Sequence, residues 1–257
     1  MRIHCFNLEI IWENKSANME LVSSNLEKAD IKPGELLVFP ELTLTGFTMN
    51  SEVIAENISN SATINFFEGI TNRYNCSVLF GMAVKHSESI FNSAIYLDAQ
   101  DRKLSQYNKI HTFSLAQENN HYSRGNSVKI VRHNEARIGL SICYDLRFSH
   151  LFNAHRGIAD IFINIANWPD VRQEHWHSLG KARAIEFQSY FVGVNRLGMD
   201  PQGNSYSVGT TVFDPFGKLV ESSSETGFIC TYDIDLSTVQ YSRDQMACIT
   251  DYNGLKI

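Results

Sequence analysis

The chain has 257 residues, 43% of them hydrophobic and 19% charged, with a formal net charge of −6. That is enough length and apolar content for a sizeable core, and an acidic balance without a basic block argues against nucleic acid and anionic membrane as partners. No apolar run approaches bilayer length, and "MRIHCFNLEI" has one Arg and no long apolar stretch to mark a signal peptide, so the expected compartment is the cytosol.

The five cysteines (Cys5, Cys76, Cys143, Cys230, Cys248) are scattered, with no C-x-x-C pair. They predict neither a disulfide framework nor a structural metal site, and most should be small buried hydrophobes.

In chain order, "IHCFNLEI" predicts a first strand. "SANMELVSSNLEKADI" follows as a helix with Met19, Val22, Leu26 and Ala29 on one face, stopped by "KPG". "ELLVFP" (35–40) is a short apolar run typical of a buried strand. "NSATINFFEGITNRYN" places Ile64, Phe67, Thr71 and Tyr74 at helical spacing. "CSVLFGMAV", "IFNSAIYLD" and "KLSQYNK" then predict strands joined by polar turns, and "VKIVRH" pairs with "ARIGLSIC" across "NE".

A helix is expected near 148–157, then the apolar strand "ADIFINIANWP" (159–169). "QEHWHSLGKARAIEFQSY" reads as a helix with Leu179, Ala182, Ile185 and Ser189 on one side. Strand "FVGVNR", a Gly- and Asn-rich loop (198–205), a hairpin of "VGTTVFD" and "KLVESS" turning on "PFG", a strand "GFICTYDID" and a polar tail complete the order. No repeat, low-complexity segment or linker interrupts it, so residues 1–257 are expected to form one α/β domain, with sheets packed face to face and helices outside.

Three loops at the ends of apolar strands carry polar residues: Glu41 after "LLVFP", Cys143 after "IGLSI" and Asn167 after "IFINIA". In open α/β sheets such strand ends favour ligand sites. Other candidates are weaker. "SLGK" (178–181) has S-x-x-K spacing but sits inside an amphipathic helix. "HWH" (175–177) sends its two imidazoles to different helix faces, so no metal is expected there. "GLSIC" lacks the final Gly of a nucleophile elbow, and the residue at the strand mouth is Cys143 rather than Ser141.

A lone Cys at a strand end is more often packing than chemistry. To act as a nucleophile it must lose its proton, which requires a base or a positive charge nearby. Glu41 and Lys109, each costly to bury without a task, are the available partners. Together with the thiol they would make an acyl-transfer site, with Glu41 taking the proton and Lys109 stabilising an oxyanion.

"VFPELTLTGF" (38–47), "YNKIHTF" (107–113), "GLSICYDLRF" (139–148) and "NIANWP" (164–169) together resemble the nitrilase superfamily of carbon–nitrogen hydrolases. "ARAIEFQSYFVGVNR" and "GTTVFDPFGKLV" fit the same pattern. The resemblance implies a four-layer αββα sandwich and a Glu–Lys–Cys triad at Glu41, Lys109 and Cys143. It places a second glutamate at Glu118, orienting Lys109 or the substrate amide, and an oxyanion donor at the backbone N–H of Tyr144. "CYD" where nitrilases usually have "CWE" argues against nitrile cleavage. "TGF", "CYDLRF", "NWP" with Arg172, and "HW" resemble the omega-amidase branch. Ser149 where Pro is common, and a tail without Phe-Pro, depart from that branch away from the triad.

The implied reaction is hydrolysis of the terminal amide of a small substrate such as 2-oxoglutaramate or 2-oxosuccinamate, with no cofactor. An arginine fork suits the substrate carboxylate. Arg172 is the expected partner, with Trp168 as a pocket wall, whereas Arg147, four residues after the nucleophile, reads as structural, anchoring the helix start, and Arg183 and Arg196 likewise read as structural. A homodimer is expected through the helices after Cys143 and around 174–189. Another superfamily amidase, acting on N-carbamoyl amino acids, aliphatic amides or deaminated glutathione, and a catalytically silent binding module are the competing readings.

Overall fold

Alternation along single strands sorts the molecule into layers. The computed structural model describes residues 1–253. Its first half runs β1 (Arg2–Phe6), α1 (Lys15–Leu26), β2 (Leu36–Val38), α2 (Ser51–Ile54), α3 (Ala62–Tyr74), β3 (Ser77–His86), β4 (Ser89–Leu97) and β5 (Leu104–Asn108). The second half runs β6 (Ile130–His133), β7 (Ala136–Ile142), α4 (Ser149–Asn153), β8 (Ile161–Ala166), α5 (Gln173–Phe187), β9 (Tyr190–Asn195), β10 (Gly198–Met199), β11 (Ser205–Tyr206), β12 (Thr211–Phe213), β13 (Ser224–Thr226), β14 (Ile229–Asp233) and α6 (Ser237–Gln245).

Successive side chains of a strand point to opposite faces. Ile3, Cys5, Leu36, Val38 and Leu79 therefore enter one core, while Phe6, Leu37, Val78 and Phe80 enter another. The second core is closed by Val22 and Leu26 of α1 and by Ile64, Phe67 and Ile70 of α3. The first is shared with Ile138, Leu140, Ile161, Ile163 and Val192 of the other half. A seven-stranded sheet, β13-β14-β1-β2-β3-β4-β5, thus lies against a five-stranded one, β12-β9-β8-β7-β6. With helices on the outer faces, this is the expected αββα sandwich. The parallel pairs β1–β2, β2–β3, β7–β8 and β8–β9 carry fully buried strands, which is why "LLV" and "IFINIA" read as continuous apolar runs.

Local signals hold α3 in place: the Ser61 hydroxyl accepts from Ile64 N–H at 2.9 Å, and Asn75 closes the helix in the left-handed region at φ 52°. The predicted face of α5 does not match. Ala182 and Ile185 are exposed, and the buried stripe is Trp176, Gly180, Arg183, Ala184 and Phe187. Gly180 is on it because a Cβ there would lie 2.6 Å from Phe191, and Arg183 because its guanidinium donates to Leu146 O at 3.0 Å. A stripe containing glycine and arginine carries little apolar periodicity.

The polar tail contains α6, which buries Val239 and Ser242 and is docked by Gln188 Nε2 on Ser242 O and by Arg243 on Asp160. The expected helix near 148–157 is shorter, preceded by a 3-10 turn over Cys143–Arg147. The hairpin on "PFG" is a tight turn from Asp214 to Lys218 whose second arm makes a single bridge, Phe213 to Leu219. Among the described residues no helix is long and apolar enough to cross a membrane.

His155 is stacked on Phe162 and buried, with both ring nitrogens lacking partners. Burial lowers its pKa from 6.5 to about 4. Between those values the unfolded chain takes up a proton that the folded chain refuses, so stability falls as pH drops through this window. His155→Phe should remove that share of the acid sensitivity. In thermal melts its Tm is expected to fall less than the wild type's between pH 7 and pH 4.5, and equal falls would contradict the assignment.

Candidate active site

Glu41 stands three residues past the end of β2, and its loop is folded back onto β3. Thr43 N–H donates to Gly81 O at 2.9 Å and Gly81 N–H to Thr43 Oγ1 at 3.1 Å. The contact leaves no room for a side chain, since a Cβ on Gly81 would lie 2.4 Å from Leu42 N. Lys109 follows β5 directly. Its N–H donates to Asn92 O at 2.9 Å and its carbonyl accepts from Gly125 N–H at 2.8 Å.

These backbone anchors bring three charges together in the interior. Lys109 is 1% exposed, and Glu41 and Glu118 are 0%. The ammonium donates to Glu41 Oε1 at 2.8 Å and to Glu118 Oε1 at 3.0 Å. Asn92 Nδ2 donates to the same two oxygens at 2.8 and 2.9 Å, so two donors and two acceptors form a closed ring. Glu118 Oε2 accepts from Phe113 N–H at 2.6 Å. Burial alone would lower the Lys109 pKa, but Glu118 and Glu41 outweigh it and hold the value well above normal. Lys109 is a fixed cation, not a base. Burial raises the Glu118 carboxyl above its usual range, with Lys109 opposing and Glu41 adding to the rise.

Cys143 opens the 3-10 turn after β7 with a left-handed φ of 44°, a strained conformation for a residue with a Cβ. Its Sγ lies 3.8 Å from Asn167 O. Asn167, at the end of β8, donates through N–H to Glu41 Oε2 at 2.9 Å and through Nδ2 to Glu41 O at 2.7 Å. One residue therefore touches both the thiol and the carboxylate. Burial first, then Glu41, push the thiol pKa well above normal, and Lys109 pulls against them. All three strand-end loops singled out in the sequence meet here.

The thiol opens onto a pocket of about 510 Å³ whose lining includes Phe47, Phe113, Tyr144, Arg147, Trp168 and Arg172. Trp168 lines the pocket, fixed by its N–H on Asn195 Oδ1 at 2.7 Å and by Nε1 on Arg172 O at 2.8 Å. Arg172 lies over the Phe113 ring at 5.3 Å. Arg147 does not anchor a helix start. It also lines the pocket, 4.7 Å over Trp168, with Nη2 hydrogen-bonded to His175 Nδ1 at 3.1 Å. Arg183 and Arg196 are held by backbone carbonyls, as a structural role requires. Tyr144 N–H belongs to the first turn of the 3-10 segment, whose leading amides have no acceptor within it.

Two site residues escaped the sequence reading. Asn92 is a polar side chain in the middle of an apolar strand, 1% exposed, and that placement is the signal that marks it. The pocket-facing role of Arg147 has no local signature. His175 and His177 take different partners, Arg147 and Thr211.

A buried ion pair, a strained cysteine and two packed sheets thus meet at one site. The chain belongs to the carbon–nitrogen hydrolase family, whose model matches residues 2–244. It is 31% identical over 245 residues to omega-amidase YafV of Yersinia enterocolitica, covering 94% of this chain and 93% of that protein. It is 27% identical over 253 residues to 2-oxoglutaramate amidase of Bacillus subtilis, covering 97% and 96%. In fold it is similar to a CN-hydrolase superfamily protein of Xanthomonas campestris with an arsenic adduct in its active site, at a TM-score of 0.91 and 24% identity, covering 100% of this chain and 98% of that one.

Asn92→Ala would leave two buried carboxylate oxygens one donor short each. Loss of a hydrogen bond to a charged group typically costs about 1.5–3 kcal/mol, so the denaturant midpoint should fall correspondingly. An unchanged midpoint would show that the ring does not support the fold.

Proposed function

We propose that the enzyme hydrolyses the terminal amide of a small carboxylate-bearing substrate, such as 2-oxoglutaramate or 2-oxosuccinamate, through a thioester on Cys143, and releases ammonia. The observation that carries this reading is a thiol beside a buried carboxylate–ammonium–carboxylate cluster, opening onto a pocket with two arginines. Among the described residues neither Arg147 nor Arg172 has a carboxylate within salt-bridge reach. The printed activities of the omega-amidase and 2-oxoglutaramate amidase relatives support the same substrate class.

Because burial and the neighbouring carboxylates keep the thiol protonated at rest, its proton leaves as the S–C bond forms. Glu41 accepts that proton while Cys143 attacks the amide carbon. The Lys109 ammonium and Tyr144 N–H stabilise the oxyanion, and each such donor is typically worth about 3–4 kcal/mol. Glu41 then protonates the departing nitrogen, ammonia leaves, and the same carboxylate activates water to hydrolyse the thioester. Glu118 holds the ammonium in place from its other side. Arg147 and Arg172, stacked on Trp168 and Phe113, take the substrate carboxylate at a distance from the scissile amide.

Ammonia release should be fastest with 2-oxoglutaramate in a panel that includes N-carbamoyl amino acids, aliphatic amides and deaminated glutathione. Cys143→Ala should reduce it by at least ~10³-fold. Arg147→Ala and Arg172→Ala should each raise KM about 10–100-fold, as loss of one charge-assisted bond implies, with smaller effects on kcat. Turnover of an N-carbamoyl substrate but not of 2-oxoglutaramate would transfer the assignment to that class.

A further inference from the structure

We propose that Asp145 is a positioning residue that sets the separation between Cys143 and Lys109 by gripping the lysine on both flanks; this rests on the amidase reading above. Asp145 is 0% exposed. Its carboxylate accepts four hydrogen bonds and leaves neither oxygen idle. Oδ2 accepts from Tyr107 OH at 2.7 Å and from Ile142 N–H at 3.1 Å. Oδ1 accepts from His111 N–H at 2.9 Å, and His111 Nδ1 lies 2.9 Å from it.

Those donors fall into two groups. Ile142 is the residue immediately before the nucleophile, so its bond pins the entry to the strained Cys143 turn. Tyr107 and His111 stand two residues either side of Lys109. One carboxylate, two residues beyond the thiol, therefore holds the five-sheet's β7 end against the seven-sheet's β5 end at the point where each delivers its reacting side chain. His111 is steadied in turn by stacking on Phe148, centroid to centroid 3.8 Å and 9° between planes.

A buried carboxylate is costly unless fully hydrogen-bonded, and here all its bonds tie the two segments that carry the cysteine and the lysine. A displacement of about 1 Å at a reacting pair can lower a rate some 10²-fold. The clamp is thus suited to controlling rate rather than substrate affinity. Asn at position 145 would keep the shape but turn a donor either towards Tyr107 and Ile142 or towards His111, releasing the contacts of that one oxygen.

The test uses the full chain. Asp145→Asn should lower kcat for 2-oxoglutaramate by about 10²-fold with KM changed less than about 3-fold, in protein shown folded by circular dichroism. Tyr107→Phe and His111→Gln should each lower kcat by about 3–10-fold, and their double variant should fall short of the product of the two. These two also serve if Asp145→Asn does not fold. The second readout is the pH profile of Cys143 alkylation by iodoacetamide, which needs no substrate and should shift in Asp145→Asn. An unchanged kcat, a kcat loss matched by the unfolded fraction, or an unshifted alkylation profile would overturn the clamp. A wild type that hydrolyses no amide, yet shows the alkylation shift in the variant, would instead overturn the amidase reading and leave the clamp standing.

Discussion

One ammonium held between two carboxylates, with all three groups out of water, is the constraint on which this structure turns. Removing the ammonium would leave two buried carboxylates without a counter-ion, and breaking a buried ion pair in this way typically costs about 3–5 kcal/mol. The cluster therefore has to be built whole, and the backbone around it is arranged accordingly: Gly81 under the Glu41 loop, Gly125 against Lys109, and Asn92 completing the ring. With Lys109 locked as a cation and two carboxylates near the thiol, the resting site does not favour a thiolate. In the proposed mechanism, proton removal and nucleophilic attack are therefore coupled.

The sandwich supplies the geometry. Glu41 and Lys109 come from the ends of β2 and β5 in the seven-stranded sheet, and Cys143 and Asn167 from the ends of β7 and β8 in the five-stranded one. The halves meet through apolar side chains of both sheets, which fixes their spacing, and the polar contacts from Asn167 to Glu41 then select the register of the site. The site is a property of two packed sheets, with four short loops converging at their strand ends.

What could be read in advance follows from burial. Glu41, Cys143 and Asn167 were conspicuous because each breaks an apolar run at a strand end, and Lys109 because lysine is expensive in such company. Glu118 sits in a polar segment, "QENNHYSRGN", and nothing local distinguishes it from a solvated acid; the family resemblance placed it. Asn92 was hidden within a strand, where its neighbours carry the period. Arg147 was misread because its proximity to the nucleophile suggested an anchor, whereas tertiary packing stacks it on Trp168. On α5 the exposed Ala182 and Ile185 misled the periodicity because glycine and arginine occupy the buried stripe. α6 was missed because it docks through polar bonds.

The central claim, that the buried charges serve a covalent step at Cys143, is tested most directly by rapid-quench mass spectrometry during turnover of 2-oxoglutaramate. The account predicts a transient acyl adduct on the peptide containing Cys143, formed with a stoichiometric burst of ammonia if thioester hydrolysis is the slower step, and absent in Cys143→Ala. Ammonia release at the wild-type rate by Cys143→Ala, or an adduct found on a different residue, would contradict it.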